Sequence, residues 1–347
     1  MRDEGKPTLA VVGATGVVGT TMLELLRERG FPASEIVAFA SERSAGRDLD
    51  GLTVRALNAA AEIGGFDLAL FSAGARVSRE WGPRFVAAGA TVIDNSSAFR
   101  QDADVPLVVS EVNPHALARH RGLIANPNCS TMQMVVALAP IHRAVGIERL
   151  VVATYQSVSG TGRKAVDELE AQAHASLHGI EMPAPEVYPE PIAFNVIGAA
   201  GSFADGEDHT DEERKMMHET RKILGDESIA LSVTCVRVPV VNCHSESVNV
   251  QTREPLGAAR CRELLASAPG VTVIDDPATH AHPSVLDAGG HDDVFVGRIR
   301  DDESAPRALN LWIVSDNLRK GAATNAVQIA ELLHARGLIG AGARSAA

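Results

Sequence analysis

The chain has 347 residues, of which 45% are hydrophobic and 22% charged, so it is long enough for two domains with buried cores. Its 44 acidic residues outnumber its 32 basic residues, and the net charge of −12 argues against nucleic acid or an anionic membrane as the main partner. Four cysteines without a CxxC pair, no visible signal peptide and no run of about 18 apolar residues predict a cytoplasmic chain with reduced thiols.

The first third of the chain alternates between predicted strands and helices. Apolar runs at 8–12, 36–40, 68–74 and 90–97 are typical of buried parallel strands. Apolar residues at helical spacing follow the first run, and another helix is predicted between the last two runs. This alternation predicts a Rossmann-type, doubly wound α/β domain over residues 1–131.

The rest of the chain has a different pattern. A segment rich in Pro, Gly and Asp at 181–208 is predicted to be a loop, with helical candidates near 162–178 and 210–224. Long strand-like segments with helical candidates grouped between them predict an α+β domain with a mixed sheet over residues 132–320, followed by a C-terminal helix within 321–347. The long strand-like segments of this domain lie at 149–160, 229–241, 244–252 and 308–316.

A glycine-rich turn with the spacing GxxGxxG follows the first predicted strand. Glycine lets the backbone approach a pyrophosphate, and the N-terminus of the next helix supplies free N–H donors. Because the turn lies between a strand and a helix at the start of a domain, we predict a dinucleotide site rather than an ordinary tight turn. The turn is Gly13-Ala14-Thr15-Gly16-Val17-Val18-Gly19.

The residues after the second predicted strand distinguish NAD from NADP. An acidic residue here favours the free ribose of NAD, and Glu42 has that character. Arg43, flanked by Ser41 and Ser44, offers a guanidinium and two hydroxyls as donors to a 2′-phosphate. We predict NADP, chiefly because of Arg43; the alternative is a solvated loop without a ligand.

Cys129 lies in the stretch NPNCST at 126–131, directly before a long apolar run with helical character. A helix N-terminus favours a thiolate, and a thiolate is a strong nucleophile toward carbonyl carbon. A lone cysteine is also often a buried packing residue, so position alone leaves both interpretations open. The other three cysteines are predicted core residues, and Cys243-His244 lacks companion ligands, so no metal site is predicted.

Ten stretches, taken in order, resemble the aspartate-semialdehyde dehydrogenase family along nearly the whole chain. The resemblance implies NADPH-dependent reduction of 4-phospho-L-aspartate to L-aspartate 4-semialdehyde through a thioester on Cys129. It also implies a homodimer formed through the second, catalytic domain, a C-terminal helix that returns to the first domain, and a place in lysine and diaminopimelate, threonine and methionine synthesis. The stretches are VVGATGVVG, FASERSAG, FSAG, DNSSAFR, PLVVSEVNP, IANPNCST, TYQSVSGTG, EERKMMHETRKIL, VRVPVVNCHSES and SDNLRKGAA.

The resemblance also implies the roles of individual residues. Cys129 is the implied nucleophile, His244 the acid–base residue, and Gln156 the residue that orients the acyl intermediate. Arg237 is implied to bind the substrate α-carboxylate, and Glu212 its ammonium group. The implied phosphate ligands are Arg100, Lys215 and Asn128.

The implied cofactor contacts come from both predicted domains. Each of these residues alone has a plainer explanation, such as a tight turn or a solvated loop, and the ordered set favours function. The implied contacts are Gly13, Thr15, Gly16, Val17, Val18, Gly19, Ser41, Arg43, Ser44, Ser72, Gly74, Ser159, Gly160 and Asn317.

Two other functions remain open from the sequence. N-acetyl-γ-glutamyl-phosphate reductase is a similar two-domain cysteine enzyme, but its substrate nitrogen is acylated and would not favour a carboxylate such as Glu212. A non-catalytic NADP-binding paralogue is the second alternative. The presence of Cys129 argues against it, because loss of the nucleophile would be its simplest mark.

Overall fold

A computed structural model describes residues 5–339 of the chain. The chain divides into two compact units. Described residues up to Asn128 and from Ala322 onward form the first unit, and Cys129–Gly321 forms the second. None of the helices in the described part combines the length and the apolar character needed to cross a lipid bilayer.

Strands and helices are numbered in chain order. The strands are β1 (Thr8–Val12), β2 (Glu35–Ala40), β3 (Asp48–Leu49), β4 (Leu52–Thr53), β5 (Arg55–Ala56), β6 (Leu68–Phe71), β7 (Thr91–Asp94), β8 (Leu123–Ala125), β9 (Ile147–Gln156), β10 (Ala230–Arg237), β11 (His244–Thr252), β12 (Val271–Val273), β13 (Val294–Asp301) and β14 (Ala308–Ser315). The helices are α1 (Val17–Glu28), α2 (Ala75–Ala87), α3 (Cys129–Val145), α4 (Arg163–His178), α5 (Asp211–Leu224), α6 (Ala258–Ala266), α7 (Val285–Ala288) and α8 (Thr324–Ala335).

The first unit contains a six-stranded sheet in the order β5-β2-β1-β6-β7-β8, in which all neighbours are parallel. Side chains of a strand alternate between its two faces, and β1 shows this directly. Leu9 and Val11 pack in the cluster that includes α1 and α8, whereas Ala10 and Val12 pack in the cluster that includes α2. Helices therefore cover both faces, which confirms the predicted doubly wound sheet.

The helix α8 belongs to the first unit although it lies near the end of the chain. Its apolar face, with Ala326, Val327, Ala330 and Leu333, is completely buried in the core of that unit. An ion pair of 2.8 Å between Arg29, which caps the C-terminus of α1, and Glu331 of α8 reinforces the contact. The returning C-terminal helix is thus confirmed, while residues 340–347 of the predicted segment lie outside the described residues.

The second unit contains a mixed sheet in the order β10-β9-β11-β14-β13-β12. The pairs β10/β9 and β12/β13 are parallel, and the three pairs between them are antiparallel. The helices α3, α5 and α6 pack together on the buried face of the sheet. This mixed sheet was predicted, but β12 and β13 were not; β12 was missed because a three-residue edge strand depends on its partner more than on its own pattern.

Candidate active site

Cys129 and His244 lie together at the start of two elements of the second unit. Cys129 is the first residue of α3, and His244 is the first residue of β11. The Cys129 Sγ atom lies 3.3 Å from His244 Nε2, and the cysteine is half-buried while the histidine is completely buried. Nucleophile and imidazole are therefore within hydrogen-bond reach before any substrate binds.

Two more predicted residues end the neighbouring strands. Gln156 is the last residue of β9 and pairs with Arg237, the last residue of β10. The register of β11 against β9, in which Ser245 pairs with Tyr155, puts His244 beside Gln156. All three side chains are buried, so Arg237, Gln156 and His244 form one row across three adjacent strands.

Glycine at position 160 leaves space for this row. A Cβ atom on Gly160 would lie 3.2 Å from the His244 ring and 3.5 Å from Arg237 Nη1. Arg237 Nη1 donates to the Ser157 carbonyl at 2.7 Å, whereas its buried Nε has no hydrogen-bond partner among the described residues. Arg237 thus keeps an unsatisfied donor in a buried position, which suits a carboxylate ligand.

His244 is held uncharged by its surroundings. Burial, together with the nearby Arg237 guanidinium, lowers the pKa of His244 to about 3, while a hydrogen bond with the Cys243 backbone opposes the shift. The sulfur of Cys243 is also buried, and burial raises the pKa of that thiol to about 12. Cys129 differs from Cys243 because its sulfur lies 3.3 Å from the imidazole Nε2.

A buried polar network fixes the other side of the His244 ring. The Ser157 backbone N–H donates to His244 Nδ1 at 3.0 Å, and Ser157 Oγ donates to Asn317 Oδ1 at 3.0 Å. Asn317 Oδ1 also accepts from the Cys243 backbone N–H at 2.9 Å, and Asn317 Nδ2 donates to Ser159 Oγ at 3.0 Å. Ser159 and Asn317, implied by the resemblance to contact the cofactor, thus lie behind the imidazole.

The structure reveals two features of this network that sequence reasoning missed. Ser157 was not predicted as a site residue, because a serine at the end of a strand carries no distinguishing pattern. Cys243 was predicted as a core residue, and it lies just before β11 with a φ angle of 70°. Such a backbone conformation is uncommon for a non-glycine residue, and here it directly precedes His244.

Glu212 and Lys215 lie near the N-terminus of α5. Lys215 Nζ lies 3.3 Å from Glu212 Oε2 and also pairs with Asp211. Burial by itself would lower the pKa of Lys215, but the carboxylates of Glu212 and Asp211 outweigh burial and raise it. α5 packs against both α3 and β10, the elements that carry Cys129 and Arg237.

Arg100 and Asn128 belong to the first unit. Arg100 is buried, and its Nε donates to the Asn126 carbonyl at 2.9 Å. Arg100 Nη2 also donates to the Asn95 carbonyl at 3.0 Å. Asn128 is buried and directly precedes Cys129 in the chain.

A cavity of about 510 Å³ lies in the first unit, where β1, β2 and β6 end. Gly13 lies in the glycine-rich turn after β1 with a φ angle of 86°, and a Cβ there would lie 2.3 Å from the Ser72 carbonyl oxygen. A Cβ on Gly19 would lie 2.1 Å from the Gly13 carbonyl oxygen. Only glycine fits both positions. Because glycine lets the backbone approach a pyrophosphate, the turn and the cavity beside it fit a dinucleotide. The predicted residues that line the cavity are Gly13, Thr15, Gly16, Ser41 and Ser72.

The other predicted cofactor residues of the first unit lie around this cavity without lining it. Val17 and Val18 begin α1, and Gly74 directly precedes α2. Arg43 and Ser44 form one turn of 3₁₀ helix with Glu42, directly after the cavity-lining Ser41. Arg43 is exposed and Ser44 is buried.

Besides the acidic Glu80, two polar residues that were not predicted line the cavity. Asn58 donates to the Glu42 carboxylate at 2.9 Å, so the acidic residue that argued for NAD is already engaged. Arg76, near the start of α2, adds a cation to the lining. Neither residue lies in a glycine motif, which is why the sequence did not single them out.

Comparison with known proteins agrees with this geometry. Residues 8–120 match the family model described as the semialdehyde dehydrogenase NAD binding domain, and residues 138–320 match the model of the semialdehyde dehydrogenase dimerisation domain. The chain belongs to the aspartate-semialdehyde dehydrogenase family. The predicted resemblance and the dinucleotide-binding character of the first domain are thereby confirmed.

Members of the aspartate-semialdehyde dehydrogenase family from several bacteria are similar over nearly full length. The enzyme of Aquifex aeolicus is 52% identical over 95% of this chain and 99% of its own, and that of Legionella pneumophila is 54% identical over 94% and 95%. Aspartate semialdehyde dehydrogenase II of Vibrio cholerae, solved in complex with ASA, is 49% identical with a TM-score of 0.90, covering 94% of this chain and 98% of its own. The Candida albicans enzyme, solved with NADP, is 25% identical with a TM-score of 0.74, covering 96% of this chain and 100% of its own.

Proposed function

We propose that this protein catalyses the reductive dephosphorylation of 4-phospho-L-aspartate to L-aspartate 4-semialdehyde with NADPH, through a thioester on Cys129. The observation that carries the proposal is the pair of Cys129 Sγ and His244 Nε2, 3.3 Å apart beside the buried donor of Arg237. A nucleophile, an imidazole and a carboxylate-binding guanidinium are the groups that an amino-acid acyl phosphate requires. The family relationship supports the same reaction.

Cys129 takes part in two steps of the reaction, formation of the thioester and release of the aldehyde. Its sulfur forms a bond to the acyl carbon while the bond from that carbon to the phosphate oxygen breaks. The nicotinamide cofactor, when bound, supplies the hydride that reduces the thioester. His244 acts as the acid–base residue at the hemithioacetal oxygen, Gln156 orients the acyl group, and the bond to sulfur then breaks to release the aldehyde.

Charged residues around the row select the substrate. Arg237 binds the α-carboxylate, because its buried Nε lacks a partner among the described side chains. Glu212 binds the substrate ammonium group, which argues against an N-acetylated substrate such as that of N-acetyl-γ-glutamyl-phosphate reductase. The proposed phosphate ligands are Arg100, Lys215 and Asn128.

The two domains divide the work between cofactor and chemistry. Residues 1–131, together with the C-terminal helix within 321–347, form the proposed NADP-binding domain, and 132–320 form the catalytic and dimerisation domain. NADP rather than NAD is supported by Arg43 and Ser41, and by the Asn58 amide that engages Glu42. The proposed cofactor contacts from the catalytic domain are Ser159, Gly160 and Asn317.

We also propose a cytoplasmic homodimer that forms through the open face of the mixed sheet. Tyr155 of β9 is 37% exposed, and its ring lies 5.5 Å from that of Trp312 on β14. Ser247 of β11 lies exposed between these strands. An exposed sheet face centred on aromatic and uncharged residues is suited to pairing with a second copy.

The test is a spectrophotometric assay with purified protein, L-aspartate 4-semialdehyde and phosphate, run with NADP and with NAD. We expect NADP reduction that requires phosphate, with a lower kcat/KM for NAD and none for the N-acetylated glutamate semialdehyde. Cys129→Ala should lose at least about 10³-fold in rate while keeping its fold, because nothing else can form the thioester. Cys261→Ala, a buried cysteine of α6, is the matched control and should keep its rate. Full activity in Cys129→Ala would refute the mechanism.

A further inference from the structure

We propose that the neutral His244 ring carries its proton on Nε2 and that Cys129 is already a thiolate in the resting enzyme, so His244 is a hydrogen-bond donor and not the base that ionises the thiol. The inference rests on the proposed function only for the roles of Cys129 and His244 in the reaction. Its evidence is the direction of the hydrogen bonds around one ring, which holds whatever the substrate is.

The Ser157 backbone fixes the proton on the ring. A backbone N–H can only donate, and that of Ser157 lies 3.0 Å from His244 Nδ1. The Ser157 hydroxyl, 3.1 Å from the same nitrogen, has Asn317 Oδ1 as an acceptor at 3.0 Å. Nδ1 must therefore accept, and since a neutral imidazole carries one N–H, that proton is on Nε2.

The proton on Nε2 in turn excludes the ring as the acceptor of the thiol proton. Nε2 lies 3.3 Å from Cys129 Sγ, so its N–H faces the sulfur. A nitrogen that already carries a proton has no lone pair to accept the thiol proton, whereas a thiolate is a good acceptor. Cys129 is the first residue of α3, where the partial positive charge of the helix favours the thiolate without a proton transfer to the ring.

Burial and the Arg237 guanidinium disfavour a second proton on His244, and they outweigh the opposing effect of the Cys243 backbone. The Arg237 guanidinium faces the ring from β10, and the Ser157 N–H occupies the place of an Nδ1 proton. Glu246, on the same strand and face, offers no compensating charge, because its complete burial raises its pKa well above the usual range. The Cys129 thiolate on α3 is thus the anion that faces the ring, and a thiolate–imidazolium pair is not the resting state.

The bonds of the reaction balance without a base that takes the thiol proton, and His244 keeps its acid–base role at the hemithioacetal oxygen. When Sγ bonds to the acyl carbon, the electron pair of the breaking C–O bond leaves on phosphate, and no proton has to leave sulfur. The Nε2–H, released from the thiolate, donates to the oxygen that becomes negative at the hemithioacetal. When the C–S bond breaks, its pair returns to Sγ, and Nε2–H donates to sulfur again. The one proton that the overall reduction consumes comes from solvent and leaves on the phosphate.

Nuclear magnetic resonance of the ligand-free enzyme tests the proton position directly. Protein labelled with ¹⁵N-histidine is titrated from pH 5 to pH 9, and the ring signals that disappear in His244→Gln belong to His244. We expect a protonated Nε2 and an unprotonated Nδ1 throughout this range. An imidazolium signal at neutral pH, or a proton on Nδ1, would overturn the proposal.

Alkylation of Cys129 by iodoacetamide tests the thiolate. In His244→Gln the amide N–H₂ group takes the place of Nε2–H, so it can donate but cannot take a proton. We expect the wild type and this variant to show the same pH midpoint of alkylation. If the thiol instead gave its proton to His244, the midpoint would rise in the variant, and the rate below it would fall about tenfold for each unit of the rise.

Cys129→Ser identifies the labelled residue in this experiment, since Cys235, Cys243 and Cys261 are buried. Neither measurement uses substrate or cofactor. Failure of the proposed function would appear in the dehydrogenase assay alone, whereas failure of this inference would appear in the ring spectrum and the alkylation midpoint.

Discussion

Glu246 is a carboxyl that the proposed reaction does not use, although it lies two residues from His244 on β11. It is completely buried, and neither of its oxygens has a hydrogen-bond partner in the described structure. Burial raises the pKa of Glu246 well above its usual range, and the Gln133 side chain beside it opposes the shift. Gln133 is one turn after Cys129 on α3, so this polar pair lies directly behind the Cys129–His244 pair.

The raised pKa of Glu246 makes stability depend on pH. Above a pH of about 4.5 the unfolded chain releases this proton while the folded chain keeps it, so the free energy of unfolding falls as pH rises, by at most about 1.4 kcal/mol per pH unit. Glu246→Gln removes the titration and should gain stability relative to the wild type between pH 5 and pH 8. Urea unfolding at several pH values measures this. Glu303→Gln, an exposed control, should show no such trend, and a constant difference for Glu246→Gln would contradict the neutral carboxyl.

Gly160 has a steric role besides its proposed cofactor contact. We expect Gly160→Ala to displace the His244 ring or Arg237, because the added Cβ would lie 3.2 Å and 3.5 Å from them. Misplacement of about 1 Å can cost on the order of 10²-fold in rate, so kcat/KM should fall by about tenfold or more. Gly257→Ala, with nothing within 4 Å of the new Cβ, is the control. Equal activity of both variants would show that the ring has room to move.

At the scale of elements, α5 shows how a helix start positions a site. Thr210 and Glu213 form a capping box, in which Thr210 accepts from the Glu213 N–H and Glu213 accepts from the Thr210 N–H. The second oxygen of Glu213 accepts from the Cys235 N–H at 3.1 Å, which ties the cap to β10. The cap therefore sets the position of Glu212 and Lys215 relative to the strand that ends at Arg237.

Thr210→Ala tests this coupling. Loss of the cap should lower the free energy of unfolding by about 1 kcal/mol and, because the first turn of α5 loosens, raise the KM for semialdehyde and phosphate. Chemical denaturation and steady-state kinetics measure the two effects. Ser284→Ala removes the equivalent cap of the four-residue helix α7 and should leave both KM values unchanged. An unaltered KM in Thr210→Ala would show that the cap does not influence substrate binding.

At the scale of the whole molecule, the open face of the mixed sheet carries aromatic side chains that a single copy of the chain leaves partly exposed. The buried face of β9 carries Leu150, Val152 and Thr154 under helices, while Tyr155 on the other face is exposed. Trp312 donates to the Pro283 carbonyl at 3.0 Å, and its half-buried indole packs against the apolar cluster that contains Phe295 and Val314. A second copy would cover these rings.

Trp312→Glu should convert the proposed dimer into a monomer, because a carboxylate would be buried without a partner at the interface. Sedimentation at micromolar concentration should show only a 36.5 kDa species for this variant and about twice that mass for the wild type. Ala60→Glu, on an exposed position of the first unit, is the control and should remain dimeric. A monomeric wild type would refute the homodimer itself.

The sequence alone determined the features that depend on neighbours along the chain. Strand–helix alternation and the glycine turn identified the dinucleotide fold, because close backbone contacts such as that between Gly13 and Ser72 allow only glycine. The long apolar helix after Asn128 was equally visible, and with it the place of Cys129 at a helix start. The ordered set of motifs then indicated the family.

Only the tertiary structure decided what depends on partners distant in the chain. Strand order brings Gln156, Arg237 and His244 into one row, and no local pattern encodes that β11 lies beside β9. The same applies to the short strand β12 and to the direction of the Ser157 hydrogen bond. Burial and a fixed backbone donor set the protonation of His244, and both are properties of the folded chain.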